Sequence, residues 1–124
     1  MNEHFKCVRK VSKSYNVEIH MAGDIREAGM FLQQVAARKG MCVSITPTSY
    51  IYSGGREEGF RIGFINYPRF PQEPEEILKR AEELADWIRD HIGQYSFSIT
   101  TPDETIYYSE MPNEIADLRG NENA

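Results

Sequence analysis

The chain has 124 residues, 40% of them hydrophobic and 27% charged, which suits one hydrophobic core and is too short for two domains. No stretch approaches the roughly 18 apolar residues of a membrane span, and the polar run after Met1 does not read as a secretion signal. A net charge of −5 argues against long nucleic acid as a partner, because that affinity comes mostly from phosphate neutralisation.

The charge is unevenly spread. Residues 1–69 carry ten basic and six acidic side chains, whereas residues 70–124 carry four and thirteen. The first half can therefore supply the few cations that a small phosphorylated ligand needs. Cys7 and Cys42 are too few and too far apart for a disulfide framework, which points to free thiols in a reducing cytoplasm. His4, His20 and His91 share no metal-ligand spacing with them, so neither a metal nor another cofactor is expected.

Taken in order, Phe5 to Val11 reads as a short strand, followed by a turn over Ser12 to Asn16. Val17 to Met21 alternates apolar residues with Glu18 and His20, the period of a half-buried strand. Asp24 to Lys39 reads as a helix. Asp24 and Glu27 have capping-box spacing, Ile25, Ala28, Leu32, Val35 and Ala36 share a face, and Gly40 is the stop. Met41 to Pro47 and Thr48 to Tyr52 are strand-like. A turn begins at Ser53-Gly54-Gly55 and is expected to run to Glu58, with Phe60 to Ile65 returning antiparallel.

A second helix is expected from Pro74 to Ile92. Proline suits its early position, Glu75 and Glu76 complement its dipole, and Gly93 ends it. Ile77, Ala81, Leu84, Ala85, Ile88 and Ile92 form its buried stripe. Tyr95 to Thr100 and Thr105 to Ser109 read as strands around a Thr101–Glu104 turn, with a short helix over Asn113 to Arg119. Residues 1–119 are thus expected to form a single α+β domain and residues 120–124 a polar tail. The order matches a ferredoxin-like βαββαβ arrangement with an extra C-terminal strand, in which two helices cover one face of an antiparallel sheet.

The stretch from Gly59 to Pro71 concentrates the groups that hold a planar, charged small molecule. It places Asn66, Tyr67, Arg69 and Phe70 on a segment stiffened by Pro68 and Pro71. Phe70 or Tyr67 is suited to stack on a base, and Arg69 and Arg26 to contact phosphate. Asn66, Thr101 and Tyr107 are suited to meet hydroxyl groups. The plainer alternative is that Tyr67 and Phe70 seal the edge of the core while Arg69 is solvated. No nucleophile–base constellation stands out.

Two family resemblances arise from particular stretches. Thr46-Pro47-Thr48-Ser49-Tyr50-Ile51-Tyr52, Gly59 to Phe64 and Glu75 to Ala85 resemble the small domain that ends a fold-type-I aminotransferase. That likeness would make Arg61 a carboxylate grip. It covers about a third of the chain, and a chain of this length lacks room for the cofactor domain.

The second covers nearly the whole length. Phe5 to Ser12, Ile19 to Ile25, Ile65 to Pro71 and Ser98 to Thr105 resemble the first Thoeris anti-defence family of phage proteins. This resemblance implies a non-enzymatic sponge that sequesters a cyclic ADP-ribose-type signal in the cytoplasm of an infected bacterium. It also implies a dimer or higher symmetric oligomer, with cyclic oligonucleotides as further ligands. A small nucleotide-processing enzyme and a protein–protein inhibitor are the alternative readings. Large residues at both parities of the Val43–Tyr52 stretch independently suggest a self-associating sheet face, with the ligand near a subunit boundary.

Overall fold

A computed structural model describes residues 6–110. Its elements run β1 (Val17–Ala22), α1 (Ile25–Lys39), β2 (Ser44–Tyr52), β3 (Gly55–Phe64), α2 (Pro74–Ile92), β4 (Ser96–Thr100) and β5 (Thr105–Ser109). The strands form one antiparallel sheet in the order β2-β3-β1-β4-β5. This is the expected ferredoxin-like order with β5 added at one edge.

Period-2 alternation sends each strand's apolar set to the helices. Val17, Ile19 and Met21 of β1, Phe60, Ile62 and Phe64 of β3, and Phe97 and Ile99 of β4 are buried. They meet Ala28, Leu32 and Val35 of α1 and Ile77, Ala81, Leu84, Ala85 and Ile88 of α2. Each large side chain taken fully from water contributes about 1.5–3 kcal/mol, so this single layer between sheet and helices dominates the stability.

Local chemistry sets the element ends. Asp24 caps α1 by accepting from the Arg26 backbone N–H at 2.8 Å, and the helices stop at Gly40 and Gly93. Pro47 lies inside β2, which is tolerable because β2 is an edge strand. The end of α2 is tied down by Arg89, only 8% exposed. Its guanidinium donates to Asp86 and to the Gln94 carbonyl and pairs with Glu110. On β5, the Tyr108 ring stacks on Phe97 with centroids 4.7 Å apart, and its hydroxyl donates to Glu82 of α2.

Two sequence expectations need correction. Residues 6–11 form no strand; the segment before β1 is irregular and is held by side chains, with Ser12 Oγ donating to the Asn66 carbonyl at 2.6 Å. The turn after β2 is also much shorter than expected. Tyr52 pairs directly with Gly55, because Gly54 at φ +89 reverses the chain in place. The helix expected over Asn113 to Arg119 and the tail lie outside the described residues.

Candidate functional site on the open face of the sheet

The same alternation that buries Ile19 and Ile62 turns their neighbours to the face without helices. Register aligns Thr46, Arg61, His20, Ser98 and Tyr107 in one row across all five strands. Glu18 and Thr100 sit one row below, and Tyr50 and Tyr52 on the β2–β3 hairpin above. This face carries a hollow of about 290 Å³ walled by His20, Tyr50, Tyr52, Glu57, Ser98 and Tyr107.

Tyr50 and Tyr52 are shaped by glycines. A Cβ at Gly59 would lie 2.8 Å from the Tyr50 ring, and one at Gly55 would lie 2.7 Å from the Tyr52 ring. Each ring therefore takes up the space a side chain would need at the facing glycine, the pairing that compensates for a glycine within a strand. The Tyr50 hydroxyl donates to the Phe60 carbonyl at 2.8 Å, and that of Tyr52 to Glu57 at 3.1 Å. Burial raises the Tyr50 pKa, and the Glu57 hydrogen bond raises that of Tyr52. Both phenols stay neutral donors at physiological pH.

His20 sits at the centre. His20 Nε2 and Thr100 Oγ share a hydrogen bond of 2.9 Å, and Thr100 Oγ also reaches the Glu18 carbonyl at 3.5 Å. When Nε2 is the donor, Nδ1 keeps its lone pair. Burial lowers the His20 pKa; the Glu18 carboxylate opposes this and the Arg61 guanidinium assists it. Arg61 in turn pairs with Glu18 at 3.3 Å and reaches Thr48. With Arg61 balancing Glu18 and His20 neutral, the face is left with the negative charge of Glu57. An uncharged base, three phenols and one surplus carboxylate suit a cationic, partly aromatic small molecule.

The residues singled out from sequence fall in four places. Asn66, Tyr67, Arg69 and Phe70 lie past the end of β3, beside the start of β1, whereas Arg26 follows the far end of β1. Asn66 is a brace: it donates to the Lys13 carbonyl at 2.8 Å and accepts from the Gln72 N–H at 2.9 Å. Arg69 is exposed in the turn closed by the Phe70 N–H on the Tyr67 carbonyl. Thr101 organises the β4–β5 turn by accepting from the Asp103 and Glu104 N–H groups. At the α1 N-terminus beside Arg26, the anionic position is filled by the Asp24 carboxylate. Tyr107 alone of the set reaches the open face.

Sequence reasoning passed over His20, Tyr50 and Tyr52 as site residues. The alternation of Val17 to Met21 does place Glu18 and His20 outward. The spacing of Tyr50 and Tyr52 against Gly59 and Gly55 is the signal that would have found the aromatic wall. Among the described residues no cluster of His, Cys, Asp or Glu is able to hold a metal ion, and no helix is long and apolar enough to cross a membrane.

No family model matches the chain, and no curated protein does. Two solved structures share its architecture. One is a phage SAM lyase in its apo state, with 12% identity and a TM-score of 0.69 over 84% of this chain and 96% of that one. The other is a phage SAM lyase in complex with S-methyl-5'-thioadenosine, with 11% identity and a TM-score of 0.56 over 85% of this chain and 96% of that one. At this identity the likeness is one of fold. It still corrects the expectation of a protein without turnover, because the fold shared over nearly the whole length is that of proteins named as lyases. Both are phage proteins, in line with the phage likeness expected from sequence, and neither is named as a member of the Thoeris anti-defence family.

Proposed function

We propose that the chain is a lyase acting on S-adenosylmethionine or a close adenosyl sulfonium, with its site on the open sheet face. The observation that carries this reading is the pairing of the fold with the face itself. Aromatic rings, a neutral His20 and the surplus charge of Glu57 offer what an adenosyl group bearing a cationic sulfur requires. Breaking the bond from sulfur to the four-carbon chain sends the electron pair to sulfur, while His20 takes a proton from the neighbouring carbon and that C–H pair becomes the double bond of the four-carbon product. S-methyl-5'-thioadenosine is left, and the positive charge on sulfur is lost.

Because that charge disappears along the reaction, a carboxylate directly on the sulfur would hold the substrate more tightly than the transition state. Tyrosine faces bind the cation while excluding water, which favours dispersal of charge. On this reading Tyr50, Tyr52 and Tyr107 supply the surface, Glu57 draws in the cation from the rim, and His20 is the available base. We further propose that chains associate symmetrically through this face, so that a second copy closes the hollow over the ligand.

The test is incubation with S-adenosylmethionine followed by chromatography. S-methyl-5'-thioadenosine is expected, and His20→Ala and Tyr52→Ala are each expected to slow its release at least ~10-fold. Intact S-adenosylmethionine after prolonged incubation would refute the activity. Unchanged rates in both variants would move the site off this face. Cyclic ADP-ribose, the ligand implied by the Thoeris resemblance, also carries adenosine and serves as the competing ligand. Its consumption in place of S-adenosylmethionine would redirect the assignment to that substrate.

A further inference from the structure

On the helix side of the sheet, remote from the open face, two hollows join end to end. One, of about 240 Å³, lies under the loop after β3 and is bounded by Cys42, Phe64, Tyr67, Phe70 and Ile77. The other, of about 210 Å³, lies between the end of α1 and the side of α2, at Lys39, Lys79 and Trp87. Met41 and Arg80 border both, which makes the pair one groove. Its extent reaches the ~300–1,000 Å³ usual for small-ligand sites.

The two ends differ in chemistry. At the loop end, the Tyr67 and Phe70 rings stand 5.5 Å apart, and Phe70 is 53% exposed. The rings are held in place before any ligand arrives. Cys42 Sγ donates to the Tyr67 hydroxyl at 3.3 Å, the Phe70 N–H closes the turn on the Tyr67 carbonyl, and Asn66 braces the loop from behind. At the helix end stand Lys39, Lys79 and Arg80. Among the described residues none of the three has a carboxylate within ion-pairing distance. Lys39 instead rests 5.5 Å above the Trp87 ring. Glu76 and Glu83 also border this end, which leaves it one positive charge in excess.

We propose that this groove is a second ligand site, for a small phosphorylated aromatic compound such as a nucleoside diphosphate. The base lies against Phe70 and Tyr67, and the phosphates meet Arg80 and Lys79 with Lys39 at the rim. Half-buried Arg80, at the junction of the hollows, is the phosphate anchor. Pre-positioned rings lower the ordering cost of binding. The charge preference is opposite to that of the open face, so the two sites select different ligands.

Calorimetry of the full-length protein with adenosine 5'-diphosphate, in the presence of saturating S-methyl-5'-thioadenosine, tests the proposal. One equivalent per chain is expected to bind. Arg80→Glu and Phe70→Ala are each expected to weaken binding at least ~10-fold, and inorganic pyrophosphate to bind at least ~10-fold more weakly than the diphosphate. Phe70→Leu keeps the apolar filling, loses the flat face, and is expected to weaken binding in the same direction. Tyr52→Ala on the open face is expected to leave diphosphate binding unchanged, and Arg80→Glu to leave cleavage of S-adenosylmethionine unchanged. The failure of one site is thereby separated from that of the other. No binding, equal binding of pyrophosphate, or binding indifferent to both Arg80→Glu and Phe70→Ala overturns the proposal.

Discussion

Replacing Gly59 with alanine probes how closely β1, β3 and Tyr50 are fitted together. An added Cβ would sit 2.3 Å from the Met21 carbonyl oxygen, 2.7 Å from Ala22 Cα and 2.8 Å from the Tyr50 ring. The first two are backbone atoms of the paired strand and cannot swing aside, so β3 must lift away from β1 locally. Overpacking of this kind costs about 1–3 kcal/mol, and two weakened ladder hydrogen bonds add about 1 kcal/mol each, giving about 3–5 kcal/mol. Gly29 provides the internal contrast. It lies within α1 with open space where its Cβ would be, so Gly29→Ala should stabilise by about 0.5–1 kcal/mol. Urea unfolding of both variants beside the parent, at matched slopes, measures the two changes. A Gly59→Ala protein within about 1 kcal/mol of the parent would show that β1 and β3 do not approach at Gly59 as closely as these distances require.

Two further predictions concern the open face. Burial holds the His20 pKa below its ordinary 6.5, so its stabilising contribution is present above 6.5 and is lost as pH falls through the lowered value. Urea midpoints from about pH 7 to about pH 5 should fall less steeply in His20→Asn than in the parent; an NMR titration placing His20 at or above 6.5 contradicts the burial argument. For self-association, light scattering at micromolar concentration should report a mass well above the 14.3 kDa of one chain. A single 14.3 kDa species with and without S-methyl-5'-thioadenosine removes the shared hollow.

Most of the architecture was legible because the periods in the sequence are clean. The Ile77–Ile92 stripe and the Val17–Met21 alternation each admit one arrangement, and their burial follows them closely. What escaped was non-local. Phe5 to Val11 has strand-like composition, yet strand status depends on a partner, and β1 and β3 already have both neighbours while β2 carries Pro47. The first half of β3, Gly55 to Gly59, is polar and glycine-rich and reads as loop. It is strand because Tyr50 and Tyr52 on the facing strand fill what the glycines leave empty. Tyr67 and Phe70 were visible as an aromatic pair, but only the register shows that Arg26 lies beyond the other end of the sheet from them.

Beyond Gly59 the β2–β3 hairpin has no third strand, since β1 ends at Ala22. Past the Gly23 N–H, which donates to the Glu58 carbonyl at 3.0 Å, its two halves pair only with each other from Tyr50 to Glu57, stitched by the Ser49–Glu58–Arg56 contacts and by Tyr52 to Glu57. Exposed polar stitches of this kind are individually weak, and Ile51 at 75% exposure buries little. This arm can therefore open without disturbing the helices. Its amides should exchange with solvent deuterium through a local event far cheaper than global unfolding, while those of β1 wait for the whole domain to open. Because Tyr50 and Tyr52 ride on the arm, the wall of the open-face hollow belongs to the least stable part of the sheet. A ligand or second chain resting on that wall would then register first as slowed exchange between Ser49 and Glu58.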